Sequence, residues 1–181
     1  MTSLSSLSGV SDFRDESDLL YIFGGILVFE LFTLIYARFG GLNSKSLSKW
    51  YQKFHLNAVL SDVLSIFIGF LVARWLVTYQ LPNKYKNNIL VFVIVLLLVQ
   101  ILHDIFFYYC CILPIPSGHN EMIDVFKEYA KEHSAKIIGA DSILMLGSLM
   151  FALILKNYSG LHTIEIMAFC LYSIIYLIYT K

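Results

Sequence analysis

Five ionisable residues stand where the surrounding sequence is otherwise apolar: Glu30, Asp62, His103, Asp104 and Asp141. Acids and a histidine held out of water can do one of four things. They can form a structural network in which protonated carboxyls, serine and histidine are each other's partners. They can pass protons or cations, since carboxyls and imidazoles arranged across helices are what relays use. One His with several carboxylates also suits Zn²⁺ or Mn²⁺, although the chain has neither an HxxxH nor an ExxH pair. The fourth use is a membrane-embedded hydrolase or transferase, for which there is no Gly-flanked serine nucleophile, His-rich box or phosphate loop. The structural network leads and conduction follows. Metal and cofactor stay unassigned, and the balance leans away from an enzyme.

Helical phase adds supporting residues. Gln100, His103, Asp104, Phe107 and Cys111 share one stripe, as do Ala58, Asp62, Ser65, Gly69 and Ala73. Ser134, Asp141, Ser148 and Ala152 form a third, with Ser142 beside Asp141. Small and polar stripes are the usual surface for close helix packing in lipid. Three helices therefore offer an acid on a face suited to contact. At 1.5 Å per residue, Asp62 and Asp141 lie at nearly equal depth from one membrane face. Arg74 is about 120° off its stripe on a 3.6-residue helix, so it is directed at another helix or the headgroups.

Composition sets the elements that must position these groups. Of 181 residues, 58% are apolar and 14% charged, against about 45–50% and about 25% in soluble domains. That excludes a soluble globular enzyme, a disordered chain and a disulfide scaffold. Thirteen basic and thirteen acidic residues cancel, leaving no field for nucleic acid. Five stretches are long enough for the ~20 residues a span needs: Leu19–Ala37, Ala58–Tyr79, Ile89–Leu113, Ile137–Leu155 and Thr163–Tyr179. The expected fold is all-α, a polytopic transmembrane bundle of five spans over residues 19–181 in contact with the lipid bilayer. A disordered acidic tail over residues 1–18 precedes it.

One polar stretch should also be helical. Pro114 and Pro116 end the third span, and Asn120 is a good N-cap with Glu121 and Asp124 in the first turn. Met122, Phe126 and Tyr129 then share a face, and Asp124–Lys127 and Glu128–Lys131 are i,i+3 charge pairs. The expected amphipathic helix, residues 120–136, either lies on the membrane or projects from it as a docking surface for a protein partner or a second copy. Helix is expected almost throughout Asn120–Leu155, with any bend close to Gly139. Cys110, Cys111 and Cys170 read as packing residues. Trp50, Tyr51, Tyr79, Tyr85, Tyr108 and Tyr109 read as interfacial belts.

Orientation follows from Lys and Arg. Arg38, Lys45, Lys49, Lys53, Lys127, Lys131, Lys136 and Lys181 fall on one face, against Arg14, Lys84, Lys86 and Lys156 on the other. The excess predicts an outside N-terminus and a cytoplasmic C-terminus, with Asn43 and Asn87 on opposite sides.

The run His103-Asp104-Ile-Phe-Phe-Tyr108 is followed by Pro116-Ser-Gly118-His-Asn120, Met122-Ile-Asp124, Phe126-Lys127-Glu-Tyr129-Ala130 and Ala140-Asp141-Ser142. This pattern resembles a family of uncharacterised multi-pass membrane proteins of large DNA viruses of algae and protists, over roughly residues 50–155. The resemblance implies a viral or host internal membrane and carries no catalytic residue. The expected function is thus a structural or assembly component of a membrane. The alternative is a small proton or cation channel or transporter using Asp62, His103, Asp104 and Asp141.

Overall fold

A computed structural model describes residues 9–39, 44–86, 88–134 and 136–180, and every regular element among them is helical. Five helices are long and apolar enough to cross a membrane. They are α1 (Asp18–Arg38), α3 (Leu56–Trp75, continued by a π-helical turn Leu76–Gln80), α4 (Ile89–Phe107, continued by Tyr108–Ile112), α6 (Lys136–Leu155) and α7 (Gly160–Tyr179). Two short helices lie between spans, α2 (Lys45–Phe54) and α5 (Glu121–His133). The protein is a membrane-embedded all-α bundle. Residues 1–8 of the tail, Asn43, Asn87 and Lys181 lie outside the described residues.

Helices α1, α3, α4 and α6 pack around one interior, and α7 lies against α1 outside that group. Small residues decide where the approach is closest. At Gly25 of α1, a Cβ would stand 2.5 Å from both Ala152 N and Ser148 O of α6, so only a residue without one admits this contact. The two ends of the interior differ. Towards the start of α1, Ile22, Phe70, Phe92, Leu96 and Met145 have no exposed surface and fill the space. Towards the other end the helices part around a cavity, and α2 and α5 cover it.

The tail departs from expectation over residues 9–17. Instead of a disordered leader, this segment is folded onto the bundle: Val10 is fully buried, and Phe13 N–H donates to Thr78 Oγ1 at 2.8 Å. The cause is Arg74. Its Nη2 donates to the carbonyls of Asp12 and Asp15 at 2.5 and 2.6 Å, so a buried guanidinium in α3 gathers the tail. Lys156 bridges Asp18 at 2.7 Å and secures the start of α1 on the same face.

Three further expectations are corrected. The chain between α1 and α3 contains α2, where no helix was expected; Ser44 caps it by accepting from Leu47 N–H at 3.1 Å. Second, Asn120–Leu155 is not one bent helix. The break comes at Ser134, in the left-handed region with φ 49°, while Gly139 sits inside α6. The turn lays α5 against α2 rather than letting it project. Third, the expected Asp124–Lys127 and Glu128–Lys131 pairs do not form within α5. Asp124 accepts from Gly118 N–H at 2.9 Å, where φ is +88° and favours glycine. Lys127 Nζ donates to the Ile115 carbonyl, and Glu128 pairs with Lys49 at 2.7 Å.

Candidate functional site

The cover over the open end is built from two amphipathic helices running antiparallel. Lys53 meets Glu121 at 3.2 Å and Lys49 meets Glu128 at 2.7 Å. The strongest polar contact joins opposite helix ends. Glu132, in the last turn of α5, accepts from the backbone N–H groups of Lys45 and Ser46 at 3.1 and 3.0 Å, and from the Ser46 hydroxyl. These are the first donors of α2, which have no partner within their own helix, and the positive end of α2 favours the carboxylate. The Ser46 hydroxyl and backbone contacts hold the Glu132 carboxyl down to about 2. His133 Nε2 lies 2.8 Å from Ser44 Oγ and completes the join.

The apolar sides of the cover turn inward. Trp50 lies against Phe126 with ring centroids 4.7 Å apart, and Phe126 meets Phe107 of α4 at 5.9 Å. Beneath them is a cavity of about 1080 Å³. Asp62 and Ser65 of α3, Gln100, His103 and Asp104 of α4 and Asp141 of α6 all line it, with Trp50, Tyr51 and Tyr129 contributed by the cover.

Hydrogen bonds divide the acids into two groups. Tyr51 Oη lies 3.1 Å from Asp62 Oδ2 and 3.2 Å from Glu30 Oε1, so one phenol joins α2 to α3 and α1. Trp50 Nε1–H donates to the same Asp62 oxygen at 3.2 Å. Burial, reinforced by the two carboxyls, pushes the Tyr51 hydroxyl well above its ordinary value, so it remains a donor. In the second group, Gln100 Nε2 donates to Asp104 Oδ1 at 2.6 Å, and His103 Nδ1 lies 3.3 Å from that oxygen. Asp141 lines the same cavity from α6. Asp104 Oδ2 is buried with no hydrogen-bond partner. Tyr129 stands over this group, its hydroxyl pushed up to about 12 by burial and then by Asp141, Asp62 and Glu132.

The remaining sequence candidates lie elsewhere. Ser142 donates to the Ile138 carbonyl within α6 at 2.7 Å. Ser148 is buried at the α1–α6 contact. Arg74 is at the far end with the tail. Glu30 joins the cluster through Tyr51. Trp50 and Tyr51 are buried donors rather than lipid-facing anchors, a role that the spacing Leu47, Trp50, Tyr51, Phe54 could have signalled. Among the described residues, no three His, Cys, Asp or Glu side chains converge as metal ligands would.

Fold and site together define a membrane-embedded helical bundle with an acid-lined cavity at one end. Comparison with known protein families, curated proteins and solved structures finds no match.

Proposed function

We propose that the chain is a non-conducting structural or assembly component of a membrane, in which the acid cluster ties two interfacial helices to the spans. The observation carrying this is the asymmetry of the interior. The cluster occupies one end, whereas fully buried Ile22, Phe70, Phe92, Leu96 and Met145 close the other. A proton or cation path needs polar groups or water across the whole thickness, and along α3 the buried Ile66 and Phe70 lie between Asp62 and Arg74. The Lys and Arg excess around α2 and α5 supports a cytoplasmic cover and an outside N-terminus. The residue pattern over 103–142 supports a viral or host internal membrane.

The test is flux across liposomes containing the purified protein. Under a pH gradient, and separately under a K⁺ or Na⁺ gradient, the decay should match protein-free liposomes. Asp141→Asn keeps the shape of the side chain and should leave both decay and folding unchanged. Gradient collapse by the native protein that Asp141→Asn abolishes would overturn the proposal and establish conduction.

A further inference from the structure

Helix α7 stands outside the group of four spans, with α1 as its main packing partner. Around its axis the sequence sorts into three stripes. Thr163, Cys170 and Ile174 are buried. Leu161, Ile164, Leu171 and Ile175 are exposed and hydrocarbon, matching lipid tails that are as apolar as leucine. The third stripe is His162, Glu165, Phe169, Tyr172, Tyr176 and Tyr179, and every one of these is exposed. Its steps alternate between three and four residues throughout, the 3.5-residue repeat along which two helices meet in a seam.

This stripe differs from those the other spans turn outward. On α4 the exposed row is Leu90, Ile94, Leu98 and Leu102, and on α6 it includes Ile143, Met150 and Ile154. On α7 a carboxyl and phenols take the place of hydrocarbon. At 1.5 Å per residue, Glu165 stands roughly 7–8 Å inside the start of the span and Tyr172 roughly 10 Å from its end. Neither the Glu165 carboxyl nor the Tyr172 and Tyr176 hydroxyls have a partner among the described residues. Lipid offers them no water, and ionisable side chains within spans almost always face protein. An aromatic belt accounts for Tyr179, which ends the span and stacks on His55 with ring centroids 5.2 Å apart. It does not account for Tyr172 or Glu165.

The chemistry of the stripe selects what covers it. Copies of one chain enter the membrane in the same orientation, so a two-fold pair sets α7 beside α7 in parallel and each residue near its own equivalent. Groups that both donate and accept are satisfied by that geometry, and phenols are such groups. A carboxylate only accepts, but His162 lies one turn before Glu165 on the same stripe, so each carboxyl has an imidazole within reach on the other chain. His162 Nδ1 is 2.5 Å from Ser159 Oγ, which leaves Nε2 for that contact. We propose that α7 is the seam of a parallel, two-fold dimer of this chain, joined along His162, Glu165, Phe169, Tyr172 and Tyr176.

Sedimentation equilibrium of the full chain in density-matched micelles reads the association directly. A reversible monomer–dimer equilibrium is expected. Glu165→Leu with Tyr172→Phe and Tyr176→Phe removes the polar groups and keeps the bulk. It should raise the dissociation constant at least tenfold, about 1.4 kcal/mol, with helicity unchanged. Ile164→Ala with Leu171→Ala, on the hydrocarbon stripe, should leave the constant as it is. A native protein that is monomeric at every concentration overturns the proposal whatever the variants do, and leaves the stripe to a different protein. A dimer that the seam substitutions do not weaken, or that changes on the two stripes weaken equally, overturns it as well. Tyr172→Phe alone, which deletes one exposed oxygen, supplies the same comparison should the triple variant fail to fold. Liposome flux reads a different property, so the dimer and the non-conducting reading stand or fall separately.

Discussion

Replacing Gly25 by alanine should damage the bundle more than any other single methyl added at a helical glycine of α1 facing backbone. A Cβ there meets Ala152 N and Ser148 O at 2.5 Å and Ala152 Cα at 3.0 Å. Carbon contacts are most favourable near ~3.5 Å, so helix α6 must retreat by about 1 Å. All three obstacles are backbone, and no rotamer change relieves them. Overpacking typically costs about 1–3 kcal/mol, and the rigid obstacles put Gly25→Ala at the upper end, about 3 kcal/mol. Two neighbours calibrate the argument. At Gly24 the nearest atom is Leu155 Cδ1 at 2.9 Å, the end of a side chain that can turn, so Gly24→Ala should cost about 1 kcal/mol. At Gly139 nothing lies within 4 Å, and Gly139→Ala should be neutral or gain up to about 1 kcal/mol from helix propensity. Unfolding in mixed micelles, with helicity followed as dodecyl sulfate is raised, ranks the three variants. Gly25→Ala within about 0.5 kcal/mol of the native protein, or as well tolerated as Gly139→Ala, would refute the close approach of α1 and α6.

Arg74→Gln should release the tail: a hydrogen bond to a charged donor contributes about 1.5–3 kcal/mol, and trypsin should then cut after Arg14 faster, whereas unchanged cleavage would deny that Arg74 holds Asp12 and Asp15. Cysteines at Lys131 and Lys84 of an otherwise Cys-free protein should react with an impermeant thiol reagent from opposite sides of a vesicle; labelling from the same side would end the five-span topology. The Glu132 contact should fail in acid. Its carboxyl is lowered from 4.5 to about 2 in the folded protein, so its stabilisation is complete above the unfolded value and is lost as pH falls through that range. Trp50 emission in Trp75→Phe proteins, with and without Glu132→Gln, should therefore differ at neutral pH and converge near the lower value; a difference that persists in acid would show that Glu132 does not cap α2.

The spans were legible because an apolar run of some twenty residues has few alternatives in lipid, and the acids stood out because such runs rarely contain them. What completes the site was not legible, for a reason visible in the separations. Glu132 caps a helix that begins 87 residues earlier in the chain, and Arg74 bonds a carbonyl 62 residues before it. Neither contact leaves a local pattern. Ser134 breaks the α5–α6 path because the packing of α5 on α2 imposes a left-handed backbone there, a conformation serine does not announce. Tyr51 and Trp50 carry the usual composition of an interfacial belt, and only the position of α2 over the cavity turns them into donors for Asp62.

The two ends of the bundle solve the same problem with opposite charges. At the far end a cation, Arg74, enters the interior and backbone carbonyls of the tail meet it. At the near end carboxyls enter, and phenol and indole donors from α2 meet those of Glu30 and Asp62. Lifting α2 would strip half-buried Asp62 of its Tyr51 and Trp50 donors and fully buried Glu30 of Tyr51 at once, a costly loss of partners. The cover is therefore a poor gate. Asp104 and Asp141, in contrast, belong to α4 and α6 and depend on neither donor, so lifting α2 alone would leave the Gln100 contact of Asp104 in place.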